Sequence, residues 1–189
     1  MTPAIDEEIR RAQHGDLEAF DRLVGAHQNK IFNLCLWFLH DYDEASDAAQ
    51  ESFIRAFRHI KSFRGDCTFS SWLHRIALNV CRDIAAKKKT APRDFTSMET
   101  EEGEFDPVFE GESPTDTLVH NERIAAVRTA LGTLPENHRT PLILFDLQGH
   151  SYEECAAILK LPMGTIKSRL SRARIALKEA LMPQRELFS

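Results

Sequence analysis

The chain has 189 residues, 42% of them hydrophobic, with 24 basic and 29 acidic side chains and a formal net charge of −5. That length suits one large domain or two small ones, and no apolar run approaches the roughly 18 residues of a membrane span, so no membrane insertion is expected. Residues 1–20 show no signal-peptide pattern, and Cys35, Cys67, Cys81 and Cys155 lie far apart with no CxxC pair, which points to a cytoplasmic protein with reduced thiols and neither metal nor other cofactor.

In chain order, the first predicted helix runs through DEEIRRAQHGD, where Gly15 stops it and Asp16 caps the next. From Leu17 the apolar residues Phe20, Leu23, Val24, Ile31, Leu34, Cys35 and Phe38 keep a three-four rhythm to about Leu39. HDYDEAS supplies new capping acids before a second amphipathic run with Ala45, Ala48, Ala49, Ser52, Phe53, Ala56, Phe57 and Ile60. FRGDCT breaks that run, and FSSWLHRIALNVCRDIAAKKK forms a further helix with Phe69, Trp72, Leu73, Ile76, Ala77 and Val80 inward. No segment alternates with period two, so the expected fold class is all-α.

Charge is distributed unevenly. Residues 1–89 hold 13 acids and 13 bases, residues 90–117 hold nine acids and one base, and residues 118–189 hold seven acids and ten bases. The middle stretch also carries three prolines and two glycines without any helical period, so it is read as a flexible acidic linker between two small helical domains, 1–89 and 118–189.

The C-terminal part begins with an amphipathic helix in DTLVHNERIAAVRTALGTL, followed by one starting at Pro135 and broken at Gly149–His150. In SYEECAAILKL, Ser151 and Glu154 have capping-box spacing. A short break at Leu161–Pro162 precedes a long helix from about Met163 to Leu181. Two helices across a tight turn, the second basic, match a helix-turn-helix. Ile166, Leu170, Ala173, Leu177 and Leu181 share an inward arc. Lys167, Ser168, Ser171 and Arg172 form a compact outward surface of cations and short polar groups, the equipment for phosphates and base edges in a major groove. Ile175 falls in the polar arc, for which the pattern supplies no reason. No Gly-rich phosphate loop, nucleophile elbow or metal-ligand pair appears, so no enzymatic activity is expected.

The stretch from Asp43 to Asp83 resembles region 2 of the bacterial extracytoplasmic-function (ECF) sigma factors. That family's pattern falls here on Asp47, Gln50, Glu51 and Phe53, then Phe63 and Gly65, then Phe69, Trp72, Leu73, Ile76, Ala77 and Asn79. The run LPENHRTPLILFDLQGHSYEECAAILKLPMGTIKSRLSRAR is similar to region 4 of the same family. The resemblance implies an alternative sigma factor that binds core RNA polymerase and directs promoter-specific initiation. Asp47, Gln50, Glu51 and Phe53 would dock on the clamp helices of the largest subunit, and the flap of the second-largest subunit is a further implied contact.

For promoter DNA, the resemblance implies that the region 2 part opens the −10 element and holds one strand. Its candidates are Phe63, Arg64 and Asp66 around the FRGDCTF loop, then His74, Ile76 and Asn79, with Arg55, His59, Arg58 and Lys61 on the preceding helix. Phe69, Trp72 and Leu73 are assigned to the core, while Lys87, Lys88 and Lys89 fit either a duplex contact or a solvated helix end. In region 4, Lys167, Ser168, Ser171 and Arg172 take the −35 contact positions, with Thr165 and Arg169 as phosphate candidates. The 28 linker residues reach at most about 90 Å, against roughly 70 Å between elements two helical turns apart, so one chain can hold both. An anti-sigma partner is implied by the family alone. The alternative is a stand-alone helix-turn-helix regulator binding as a dimer.

Overall fold

The computed structural model describes residues 3–90 and 114–188, and every regular element within them is helical. Helices α1 (Pro3–Gln13), α2 (Leu17–Leu39), α3 (Tyr42–His59) and α4 (Phe69–Thr90) form an N-terminal bundle. Local chemistry sets its corners. Gly15 turns the chain at φ +96°, a conformation open to a residue without Cβ, and Asp16 Oδ1 then accepts from the Ala19 N–H at 3.1 Å to cap α2. Asp41 caps α3 in the same way, its Oδ1 2.9 Å from the Glu44 nitrogen. After a 3-10 turn at Ile60–Ser62, an irregular loop passes through Gly65 at φ +80° before Thr68 Oγ1 accepts from the Ser71 N–H and starts α4.

The bundle closes on Leu23, Ile31, Leu34, Cys35 and Phe38 of α2, the small residues Ala45, Ala48 and Ala56 of α3, and Leu73, Ala77, Leu78, Val80 and Cys81 of α4, all buried. Each fully buried Leu or Ile contributes about 1.5–3 kcal/mol from the apolar area it removes from water. The alanine face lets α3 pack closely against both neighbours. All four cysteines are free, and the neighbouring Cys81 thiol together with burial pushes the Cys35 thiol far above its usual range.

The C-terminal bundle comprises α5 (Pro114–Thr133), α6 (Glu136–Leu142), a π-helical stretch (Ile143–Leu147), α7 (Tyr152–Leu159), α8 (Met163–Leu181) and a 3-10 tail (Met182–Phe188). Helix α5 starts inside the segment read as linker, with Pro114 in the first turn, where its missing N–H costs nothing. The rest of that linker, residues 91–113, lies outside the described residues. Pro141 cannot donate to Asn137, and the helix widens just beyond it, so that the Gln148 N–H reaches back to the Ile143 carbonyl at 3.0 Å.

The two bundles touch, which the picture of separate tethered modules does not anticipate. Helix α7 packs on α4, the π-helical stretch packs on α2, and buried residues of both halves join one continuous apolar cluster. No helix among the described residues is long and apolar enough to cross a membrane.

Candidate nucleic-acid interface

The α7–α8 pair forms a helix-turn-helix with a tight turn. The capping box at Ser151 is formed in both directions, Glu154 N–H to Ser151 Oγ at 3.1 Å and Ser151 N–H to Glu154 Oε2 at 2.9 Å. Lys160 ends α7 at φ +52°, and the Thr165 N–H returns to the Pro162 carbonyl at 2.9 Å in the first turn of α8. Ile166, Leu170 and Ala173 are buried against the bundle. Lys167, Ser168, Ser171 and Arg172 are exposed on the opposite side, with Thr165 and Arg169 half-buried at its edge. Lys167 Nζ stands 5.3 Å from the Tyr152 ring, and Ser168 Oγ donates to the Thr165 carbonyl at 3.0 Å.

Arg174 belongs to the same basic run but is diverted. It grips Asp146 at 2.7 and 3.1 Å and lies over the Phe145 ring, and the Asp146 carboxylate raises its pKa. Behind this face, Leu142, Leu147, Leu177, Leu181 and Met182 line an apolar groove of about 700 Å³, edged by Arg174, Lys178 and Arg185.

In the N-terminal bundle the −10 candidates separate into two groups. His59, Arg64, Asp66 and Asn79 are exposed, Arg64 and Asp66 in the loop carried by Gly65, His59 at the end of α3 and Asn79 on α4. Phe63 is 9% exposed and packs on Phe69 and Trp72 with ring centroids 5.8 and 5.3 Å away, so it braces the loop from inside. Ile76 is half-buried against the core. Arg55 is bound at 2.7 Å to Glu51 and at 2.8 Å to Asp83, which ties it to α4 rather than leaving it on a strand path. Arg75 and Arg82, four before and three after Asn79, border the exposed amide, and Arg82 reaches it at 3.5 Å. The sequence reading passes over both, although their helical spacing from Asn79 is the signal that marks them.

His74 is 0% exposed. Its Nδ1 lies 2.7 Å from the Ser70 carbonyl and its Nε2 2.9 Å from Gln148 Oε1, and its ring meets His150 with centroids 4.4 Å apart. Burial, with His150 nearby, lowers its pKa to about 4. In this conformation His74 faces the C-terminal bundle and not solvent. Lys88, one of the three helix-end lysines, pairs with Glu44 at 2.7 Å.

The polymerase candidates lie together on α3, with Asp47 and Gln50 exposed and Glu51 and Phe53 half-buried. Ile54, 40% exposed, follows Gln50 and Glu51 at helical spacing and adds an apolar centre to this acidic patch.

Family models match in the order of the two bundles: Sigma-70 region 2 over residues 23–90 and Sigma-70, region 4 over residues 124–177. The RNA polymerase sigma-H factor of Pseudomonas aeruginosa is 41% identical over 182 residues, covering 93% of this chain and 92% of that protein. The chain belongs to the ECF RNA polymerase sigma factors. The ECF RNA polymerase sigma-E factor of Escherichia coli K12 is 36% identical over 178 residues, covering 93% of each chain. The fold is that of CnrH, solved in complex with the cytosolic domain of CnrY (TM-score 0.73, 24% identity, 96% of this chain and 99% of that one). It is also similar to RpoE of Bartonella quintana, solved with the anti-sigma factor NepR (TM-score 0.68, 26% identity, 86% and 96%). These relatives are transcription factors rather than catalysts, and they do not favour a stand-alone helix-turn-helix regulator. As a sigma factor, the protein directs core RNA polymerase to promoters.

Proposed function

We propose the following division of work within this sigma factor. Asp47, Gln50, Glu51 and Phe53, joined by Ile54, dock on the clamp helices of the largest polymerase subunit. Exposed Arg64, Asp66 and Asn79 hold the non-template strand of the −10 element, with Arg75 and Arg82 as neighbouring cations. Lys167, Ser168, Ser171 and Arg172 read the −35 element from the major groove, with Thr165 and Arg169 on the phosphates. The apolar groove beside α8 receives the flap of the second-largest subunit, its basic rim suiting an amphipathic segment with acidic flanks. The acidic linker lies along the nucleic-acid channel of the polymerase, and the protein works in the cytoplasm.

The observation that carries this reading is the first half of the outer face of α8: Lys167, Ser168, Ser171 and Arg172 exposed with no acid among them, on a helix whose other side is buried in a helix-turn-helix. An anti-sigma partner is supported by the similarity to RpoE in its complex with NepR. With a net charge of −5, the free protein has weak non-specific attraction to DNA, because that affinity grows with the phosphates neutralised.

The test is run-off transcription with core polymerase and a pool of promoter fragments. Adding the protein selects a subset of fragments sharing two sequence blocks. A core enzyme that gains no selectivity ends the proposal.

A further inference from the structure

Helix α1 has no part in the roles above, yet it ends against the loop that presents the −10 candidates. Gln13, the last residue of α1, is half-buried, and its Nε2 donates to the Phe63 carbonyl at 2.8 Å and to the Ile60 carbonyl at 3.1 Å. These acceptors lie 50 and 47 positions along the chain. They mark the first residue of the 3-10 turn Ile60–Ser62 and its exit, where Phe63 turns extended at φ −69° and ψ 117°. Gly65 then takes φ +80° between exposed Arg64 and Asp66.

The chemistry of the side chain suits this place. An amide nitrogen carries two N–H groups, one for each carbonyl. Asn is one methylene shorter, and Glu would set oxygen lone pairs against two carbonyl oxygens. The Ile60 carbonyl also accepts from the Phe63 N–H at 3.0 Å, so Gln13 closes over a turn already formed. Helix α1 is itself fixed. Ile9 and Ala12 are buried, Arg11 grips Asp16 Oδ2 at 2.6 and 2.9 Å, and Arg22 pairs with Glu8 at 3.0 Å.

The loop is thereby held from three sides. Gln13 takes its main chain at the start, the Phe63 ring packs on Phe69 and Trp72 beneath it, and Thr68 Oγ1 accepts from the Ser71 N–H at 3.1 Å at its end. Arg64, Gly65 and Asp66 lie exposed between these anchors. A loop ordered in advance captures a strand without first losing its own conformational freedom.

We propose that Gln13 is a positioning residue for −10 strand capture, its amide clamping the start of the loop onto α1 so that Arg64 and Asp66 are in place before DNA arrives. This rests on the −10 assignment of the loop stated above. Gln13 touches no DNA. It acts through the main chain of Ile60 and Phe63.

Two measurements test it on Gln13→Glu, which keeps the side-chain shape but reverses the donor, and on Gln13→Leu, which adds no charge. In the holoenzyme, both variants bind a single-stranded oligonucleotide with the non-template −10 segment of a selected promoter at least about fivefold more weakly. Affinity for core polymerase and for a duplex −35 fragment stays within about twofold of wild type. In the free full-length chain, hydrogen exchange of amides 62–67 speeds up at least about fivefold, while core amides of α2 and α4 keep their protection. Wild-type loop exchange and strand affinity in both variants overturn the proposal. So does a parallel fall in strand, core and −35 binding with faster exchange throughout the bundle, because Gln13 then serves the fold alone. Strand affinity kept in the Gln13 variants but lost in an Arg64→Ala, Asp66→Ala double variant also overturns it. Strand affinity kept in that double variant as well overturns the −10 reading on which the proposal stands.

Discussion

At the scale of single residues, neighbouring cations of one helix have different tasks because of what else they touch. Arg172 is exposed on the outer face of α8, whereas Arg174 is held by Asp146 and Phe145. Arg172→Ala therefore lowers promoter affinity of the holoenzyme by about 5- to 150-fold, the 1–3 kcal/mol of a base-edge arginine. Arg174→Ala leaves that affinity within about twofold and shifts the melting temperature slightly, since the pair is half-exposed. Binding titrations and melting curves of the two variants separate the roles. The charge pattern made the exposure of Arg172 legible in the sequence. The diversion of Arg174 was not, because its partner lies 28 residues away and is supplied by the fold.

The histidines where the two bundles dock give a second residue-scale prediction. His74 is brought to about 4 chiefly by burial, then by His150 and, further off, His27, against the opposing pull of its Ser70 and Gln148 contacts. His40 is brought to about 4 by burial and by Arg139 and Arg128. His150 is lowered by burial and Lys30 despite Glu154. A group whose pKa is lower when docked favours docking above its free value and withdraws that support as pH falls toward the docked value. The window is thus between about 6.5 and 4. From pH 7.5 to 5.5 the docked-to-open ratio falls by about tenfold for each of His74 and His40. Scattering should show expansion over that range, and an unchanged or smaller radius contradicts it.

At the scale of elements, the helix boundaries were legible because their punctuation is chemical. Gly15–Asp16 and Ser151 with Glu154 stand where the turns and caps form, and α8 runs from Met163 to Leu181 as its apolar arc predicts. Ser151→Ala removes one side of a formed capping box and destabilises region 4 by about 1 kcal/mol, readable as a lower denaturation midpoint. The π-helical widening was not legible, since it reflects how Pro141 is accommodated against packed neighbours rather than any period in the sequence. Ile54 was also missed, because its significance comes from exposure at the centre of an acidic face. Ile54→Asp should weaken core-polymerase binding at least about tenfold while the melting temperature stays near wild type, and unaltered core affinity would remove Ile54 from the docking face.

At the scale of the whole molecule, the order of a region 2 bundle and then a region 4 bundle ending in α8 was legible, and the family matches follow the same order. How the halves meet was not, because the contact joins residues such as His74 and Gln148, 74 positions apart, whose types carry no mutual signal. The central claim is that one chain on core polymerase reads two DNA elements at once. A hydroxyl-radical footprint on a selected promoter tests it most directly. The account predicts two protected segments about two helical turns apart, present with core polymerase and absent with the protein alone. A palindromic footprint from the protein alone, unchanged by polymerase, would contradict it.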